Sequence, residues 1–146
     1  VVDDVAPGEA LHGSTVTEQV SAIAQLPAVR SMVLERLRYA ASQFDIVCDG
    51  RDIGTTVFRR ANLKVYLVAD VLERARRRLA EGQHDMSQEG LRSEQVRLNA
   101  RDRADASRVH SPLRKAKDAI EIDTTKMNLD DVVEVILSLA REQKLG

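Results

Sequence analysis

The chain holds a single cysteine, Cys48, which excludes an internal disulfide. No stretch approaches the roughly 18 apolar residues of a membrane helix, and no apolar leader opens the chain, so a reducing cytoplasm is the expected setting and no membrane partner is expected. Aromatic side chains are scarce, with two Tyr, two Phe and no Trp, leaving little surface on which nucleic-acid bases could stack. No sign of charge dominates, since 22 Lys and Arg face 23 Asp and Glu for a formal charge of −1. That excludes the overall basic field of a nucleic-acid binder, and the RARRR run (Arg74 to Arg78) does not by itself restore that reading. His12, His84 and His110 stand apart from one another and from Cys48, with neither metal-ligand spacing nor a nucleophile beside a base.

What is present is an alternation of helical patterns with short apolar runs, the signature of an α/β fold. TVTEQVSAIAQL places Val16, Val20 and Ile23 at helical spacing, and Pro27 starts a second helix with Val29, Val33 and Leu37 on one side. FDIVCDG, LKVYLVA and AIEIDTT read as buried strands of a mainly parallel sheet. The RARRRLAEG helix and a longer helix running to about Arg108 are joined by Gly82 to Gly90, expected to act as a flap. The last helix carries Leu129, Val132, Val133, Ile136, Leu137 and Ala140 along one stripe behind an Asn128 cap, and is expected to pack on the sheet.

Chemistry concentrates in two stretches. In DIVCDGRDIGTT an apolar run enters Asp49, Gly50, Arg51 and Asp52 at what would be the carboxyl end of a strand, where open α/β sheets bind ligands. Arg51 offers a planar fork to a phosphate, and a carboxylate accepts from a base or ribose. In RDRADASRVHSPL, Arg101, Asp105 and Arg108 fall at i, i+4 and i+7, one helical face with two guanidinium groups about a carboxylate. Alone, the first stretch also reads as a surface Asp–Arg turn and the second as a solvated salt-bridge stripe.

In order, VSAIAQLPAVR, CDGRDIGTTVF, RARRRL, RDRADASRVHSPL and DAIEIDTT resemble successive signatures of bacterial cytidylate kinases over nearly the whole chain. The resemblance implies a P-loop nucleoside monophosphate kinase fold, a parallel sheet flanked by helices, and phosphorylation of CMP and dCMP by ATP with Mg2+. It divides residues 1–146, one partial kinase domain, into a base-binding insert (1–35), a core (36–72 and 105–146) and a lid (73–104). Ser21, Arg30 and Asp52 correspond to base-facing groups, with Asp49 beside them on the substrate side. Arg51 and Arg108 correspond to phosphate-binding arginines, and Arg101 and Asp105 to ribose-holding positions. Arg74, Arg77 and Arg78 resemble lid arginines that approach the transferred phosphoryl group. No residue is implied as a metal ligand within this chain.

The sequence departs from that family in one large respect. None of its seven glycines is followed by lysine, so the G-x-x-x-x-G-K-[ST] loop that cradles ATP phosphates is not among these residues. Nor is the early segment that completes the CMP-phosphate contacts. The expectation is a kinase whose amino-terminal third, with the central strand between FDIVCDG and LKVYLVA, is removed or supplied by another chain, and which is inactive alone. TTVFRRANLK carries Arg59 and Arg60 where the family usually has proline and an acidic residue, so that turn is expected to differ. A non-catalytic nucleotide-binding or interaction module derived from such a kinase is the alternative.

Overall fold

The computed structural model describes Ile23 and residues 26–82, 85–108 and 111–144. The helix expected over TVTEQVSAIAQL, Ser21 included, lies almost entirely outside the described residues. The chain forms two units, one ending at Val47 and the other running from Cys48.

In the first unit, helix α1 spans Pro27–Gln43. Proline suits its opening position because its fixed φ is already helical and its missing N–H is one that a first turn leaves unpaired. The helix stops at Phe44, whose backbone is extended (φ −140°, ψ 152°) while its N–H still closes on the Ala40 carbonyl. Val29, Leu34, Leu37 and Ala40 are half-buried, whereas Val33, expected among them, is 46% exposed.

The second unit is built on two parallel strands, β1 (Val65–Val68) and β2 (Ile120–Asp123), paired from Val65↔Ile120 to Val68↔Asp123. Backbone hydrogen bonds from Ile120 to the Lys64 carbonyl and from Thr124 to the Val68 carbonyl extend the ladder at both ends. The third expected strand, FDIVCDG, does not form, and Val47 within it is fully exposed. A strand exists only where a neighbour takes its N–H and C=O groups, and among the described residues no segment does so for Asp45 to Asp49.

Helix α2 (Val71–Glu81) follows β1 at once, and Asp70 caps it by accepting from the backbone N–H groups of Leu72 (2.8 Å) and Glu73 (3.3 Å). Helix α3 (Gln88–Ser107) opens on Ser87, whose hydroxyl accepts from the Gly90 N–H and donates to Asp85. A Cβ on Gly90 would collide with the Asp85 carbonyl oxygen, so this cap demands glycine. Helices α2 and α3 pack together and bury Ala75, Leu79 and Leu98, which with Val57 and Ile122 make a small core.

Helix α4 (Leu129–Lys144) starts as the sequence indicates, with Asn128 Oδ1 accepting from the Asp131 N–H and Asp131 Oδ2 accepting from the Asn128 N–H. Its apolar stripe divides. Val132, Ile136 and Ala140 are half-buried, but Val133 and Leu137 stay 44% and 40% exposed, so the two strands do not cover it as expected.

Ala75 has no exposed surface at all, so Ala75→Leu overfills the α2–α3 contact. We expect a loss of roughly 1–3 kcal/mol in chemical denaturation. A change below about 0.5 kcal/mol would mean the two helices are not closely packed there in solution.

Candidate functional site

The segment bearing Asp49, Arg51 and Asp52 turns sharply. Gly50 has φ 155°, and a Cβ there would lie 3.0 Å from Ile53 Cγ1. After it comes a single π-helical turn, Ile53–Val57, in which the Asp52 carbonyl accepts from both Thr56 N (2.8 Å) and Val57 N (3.3 Å). Turns of this kind recur at functional sites because they re-aim the neighbouring side chains.

Here the re-aimed side chain is Arg51. Its Nε lies 3.1 Å from Oδ2 of Asp105, in the last turn of α3, while Arg108 Nη2 lies 2.6 Å from the other carboxylate oxygen. Asp105 is only 2% exposed, and a carboxylate so buried is tolerable only when paired and hydrogen-bonded. The Leu113 N–H closes on the Asp105 carbonyl (2.9 Å) after a turn in which Ser111 adopts φ 55°, a strained value for a non-glycine residue. Arg51 and Arg108 are each about half exposed, so the carboxylate fixes two guanidinium groups whose remaining donors are accessible.

One turn back along α3, Asp102 holds Arg74 from the first turn of α2 in a bidentate pair (2.6 and 3.0 Å). Those hydrogen bonds hold the Asp102 carboxyl below its ordinary range and the Arg74 guanidinium above its own, with the Arg51 and Arg101 charges also acting on Asp102. Arg51, Arg74 and Arg108 thus stand around two carboxylates, an excess of positive charge suited to an anion.

The other residues singled out by sequence are placed elsewhere. Arg77 donates to the Thr124 carbonyl (2.6 Å), the Met127 carbonyl (3.1 Å), Thr124 Oγ1 and Glu73, tying α2 to the loop after β2. Arg78 pairs with Glu94 of α3. Arg101 is exposed, Asp49 is exposed and Asp52 is half-buried. Arg30 sits on α1 in the first unit, and Ser21 is outside the described residues.

A family model described as cytidylate kinase matches residues 1–142. The chain belongs to the cytidylate kinase family. A cytidylate kinase of Listeria welshimeri is 44% identical over 145 residues, which are 99% of this chain and 64% of that protein. One from Listeria innocua is 45% identical, with 94% and 61% covered. A bifunctional pantoate ligase/cytidylate kinase of Synechococcus elongatus is 43% identical over 94% of this chain and 26% of its own. The chain spans about three fifths of the length of the Listeria relatives.

The turn that carries Arg59 and Arg60 is held by local hydrogen bonds. Arg59 Nε donates to the Thr55 carbonyl, and the Arg59 carbonyl accepts from the buried Lys64 ammonium (2.6 Å), which also meets Asp118 (2.6 Å). Sequence reasoning missed Asp102, although it stands beside Arg101 and one turn before Asp105. It also missed Glu94 and Arg97, whose chain neighbours carry no motif.

The pairing with Arg74 sets a pH dependence for Asp102. With its folded-state pKa depressed, its stabilisation is fully present above the ordinary carboxylate value of about 4 and is lost as pH falls through the lower folded-state value. Asp102→Asn should flatten the acid limb of a stability-versus-pH curve below about pH 4. It should cost roughly 0.5–1 kcal/mol at neutral pH, the pair being about one-third exposed and screened accordingly. An acid limb unchanged by the substitution would show that the pair does not persist in solution.

Proposed function

We propose that this chain carries the CMP-binding side of an enzyme that transfers the γ-phosphoryl group of ATP to CMP or dCMP, giving the diphosphate and ADP. The observation that carries the reading is the buried Asp105 with Arg51 and Arg108 fixed on its two oxygens. A phosphoryl transfer needs reactants held in line and positive charge around a loose, anionic transition state, and asks for little covalent work from side chains. Arg51 and Arg108 would grip the CMP phosphate, and Asp105 keeps both forks aimed. The family resemblance assigns Arg101 and Asp105 to the ribose, and Asp52, Arg30 and Ser21 to the base. Residues 1–35 serve as the base-binding insert, 73–104 as the lid, and 36–72 with 105–146 as the core.

The residues present fit the anionic phosphates of both nucleotides. They do not fit Mg2+, since no group of three metal-ligating side chains comes together among the described residues and Asp102 and Asp105 are taken up by arginines. No step is routed through the ion. A glycine-rich phosphate loop must therefore act with this chain, from the same protein or a second one. The rival reading, a non-catalytic module, requires the arginine cluster to bind nucleotide without turnover in that setting.

The 146 residues alone should show no ATP-dependent phosphorylation of CMP, and joining them to the P-loop segment of a Listeria relative should restore it. Robust turnover by the chain alone, or none in the joined protein, contradicts the reading. In the joined protein Arg108→Ala should lower kcat/KM by about a hundredfold, on the order of 3 kcal/mol. A loss below tenfold counts against its phosphate role.

Cytosine presents an N4 donor beside the N3 and O2 acceptors, whereas uracil presents O4 and a protonated N3, so the two bases demand opposite partners. An acceptor at Asp52 and a donor at Arg30 suit cytosine, by roughly a hundredfold. Asp52→Asn supplies a donor as well as an acceptor, and the ratio of kcat/KM for CMP over UMP should fall. An unchanged ratio removes Asp52 from base recognition.

A further inference from the structure

Lys64 stands just before β1 and takes part in two structures at once. Its backbone carbonyl accepts from the Ile120 N–H (2.9 Å) and so belongs to the sheet ladder. Its side chain, only 7% exposed, packs against the π-helical turn, so that a Cβ on Gly54 would come within 3.3 Å of Lys64 Cδ and 3.6 Å of Ala116 Cβ. At the far end the ammonium donates to the Arg59 carbonyl (2.6 Å) and to Asp118 Oδ2 (2.6 Å). A buried ammonium is tolerable only where acceptors meet it, and these two come from the turn after Phe58 and from the segment that enters β2.

Arg59 carries the restraint onward. Its Nε donates to the Thr55 carbonyl (3.0 Å) inside the π-helical turn, and the Phe58 N–H closes on the Ile53 carbonyl (2.7 Å). The turn is therefore held at its end by Arg59 and along its side by the lysine stem, and both restraints lead to the sheet through Lys64. Arg51 stands two residues before this turn and has to bring its Nε to 3.1 Å from Asp105. A guanidinium fork is placed only as well as the backbone that carries it, and small misplacements of a positioning group cost binding and rate.

We propose that Lys64 is a positioning residue for anion binding, which with Arg59 clamps the π-helical turn to the sheet and so fixes the Arg51 guanidinium against Asp105. Lys64 acts through Arg51, which is the group that touches the ligand. The clamp rests on the kinase reading only for the identity of that ligand as the CMP phosphate.

The test uses this chain joined to the P-loop segment of a relative, followed by NMR of the arginine side chains and by steady-state kinetics. Lys64→Met keeps a stem beside Gly54 and removes the ammonium from the Arg59 carbonyl and Asp118. The Arg51 Nε–H resonance should move in this variant, while that of Arg97, which is paired within α3, stays. KM for CMP should rise about tenfold, with KM for ATP changed by less than about twofold. A merely structural role would lower the folded fraction and the apparent kcat and leave both KM values where they were. Arg59→Ala lies at an exposed position and removes only the bond to Thr55, so it should shift the Arg51 resonance in the same direction and raise KM for CMP about threefold. It decides the matter if Lys64→Met does not fold. The clamp is overturned by an Arg51 resonance that stays in place in the folded variant, or by a KM for CMP that does not rise apart from that for ATP. A joined protein that does not phosphorylate CMP, with the Arg51 resonance still answering to these substitutions, would remove the substrate reading and leave the clamp standing.

Discussion

A carboxylate buried at the end of a helix constrains everything around it, and Asp105 imposes that constraint on the second unit. At 2% exposure it must have cations on it, and it draws one from each side along the chain. Arg51 comes from the turn before β1, and Arg108 from the residue that ends α3. Arg51 is delivered by a bend at Gly50 that leads into the π-helical turn, and beyond Arg108 the chain passes through Ser111 at φ 55°. The bend at Gly50 and the π-helical turn thus bring one of the two cations to the buried charge.

The α2–α3 pair extends the same logic. Each carboxylate that α3 turns inward, Glu94, Asp102 or Asp105, is met by guanidinium groups, two of which, Arg74 and Arg78, come from α2. The apolar contact around Ala75, Leu79 and Leu98 is small, so these charges also fix how the helices sit. The carboxylates restrain arginines that would otherwise repel one another, and an incoming phosphate can share that task.

How much of this was legible in the sequence follows from how local each cause is. Pro27 and Asn128 mark helix starts through a dihedral limit and a hydrogen bond within a few residues, and both helices begin where they indicate. The Arg101, Asp105, Arg108 spacing put two of three on one constellation, with Arg51 reaching it from over fifty residues away in a motif of its own. FDIVCDG misled because strand formation depends on a neighbour, which composition does not reveal. Asp102 escaped notice because its partner Arg74 is on another helix, and Glu94 because an acid among arginines of one helix reads as solvated surface.

The pairing of β1 with β2 joins segments separated by a long excursion of chain, since Asp70 at the end of one strand bonds Thr125 beyond the other at a separation of 55 residues. Closing a flexible loop of that length costs about 3.5 kcal/mol of chain entropy, more than a four-residue ladder readily offsets. The excursion, however, consists mostly of α2 and α3, whose contacts with each other are shorter in range. Packing of that helical pair brings the strand ends closer than a flexible loop would, which lowers the entropic cost of pairing β1 with β2.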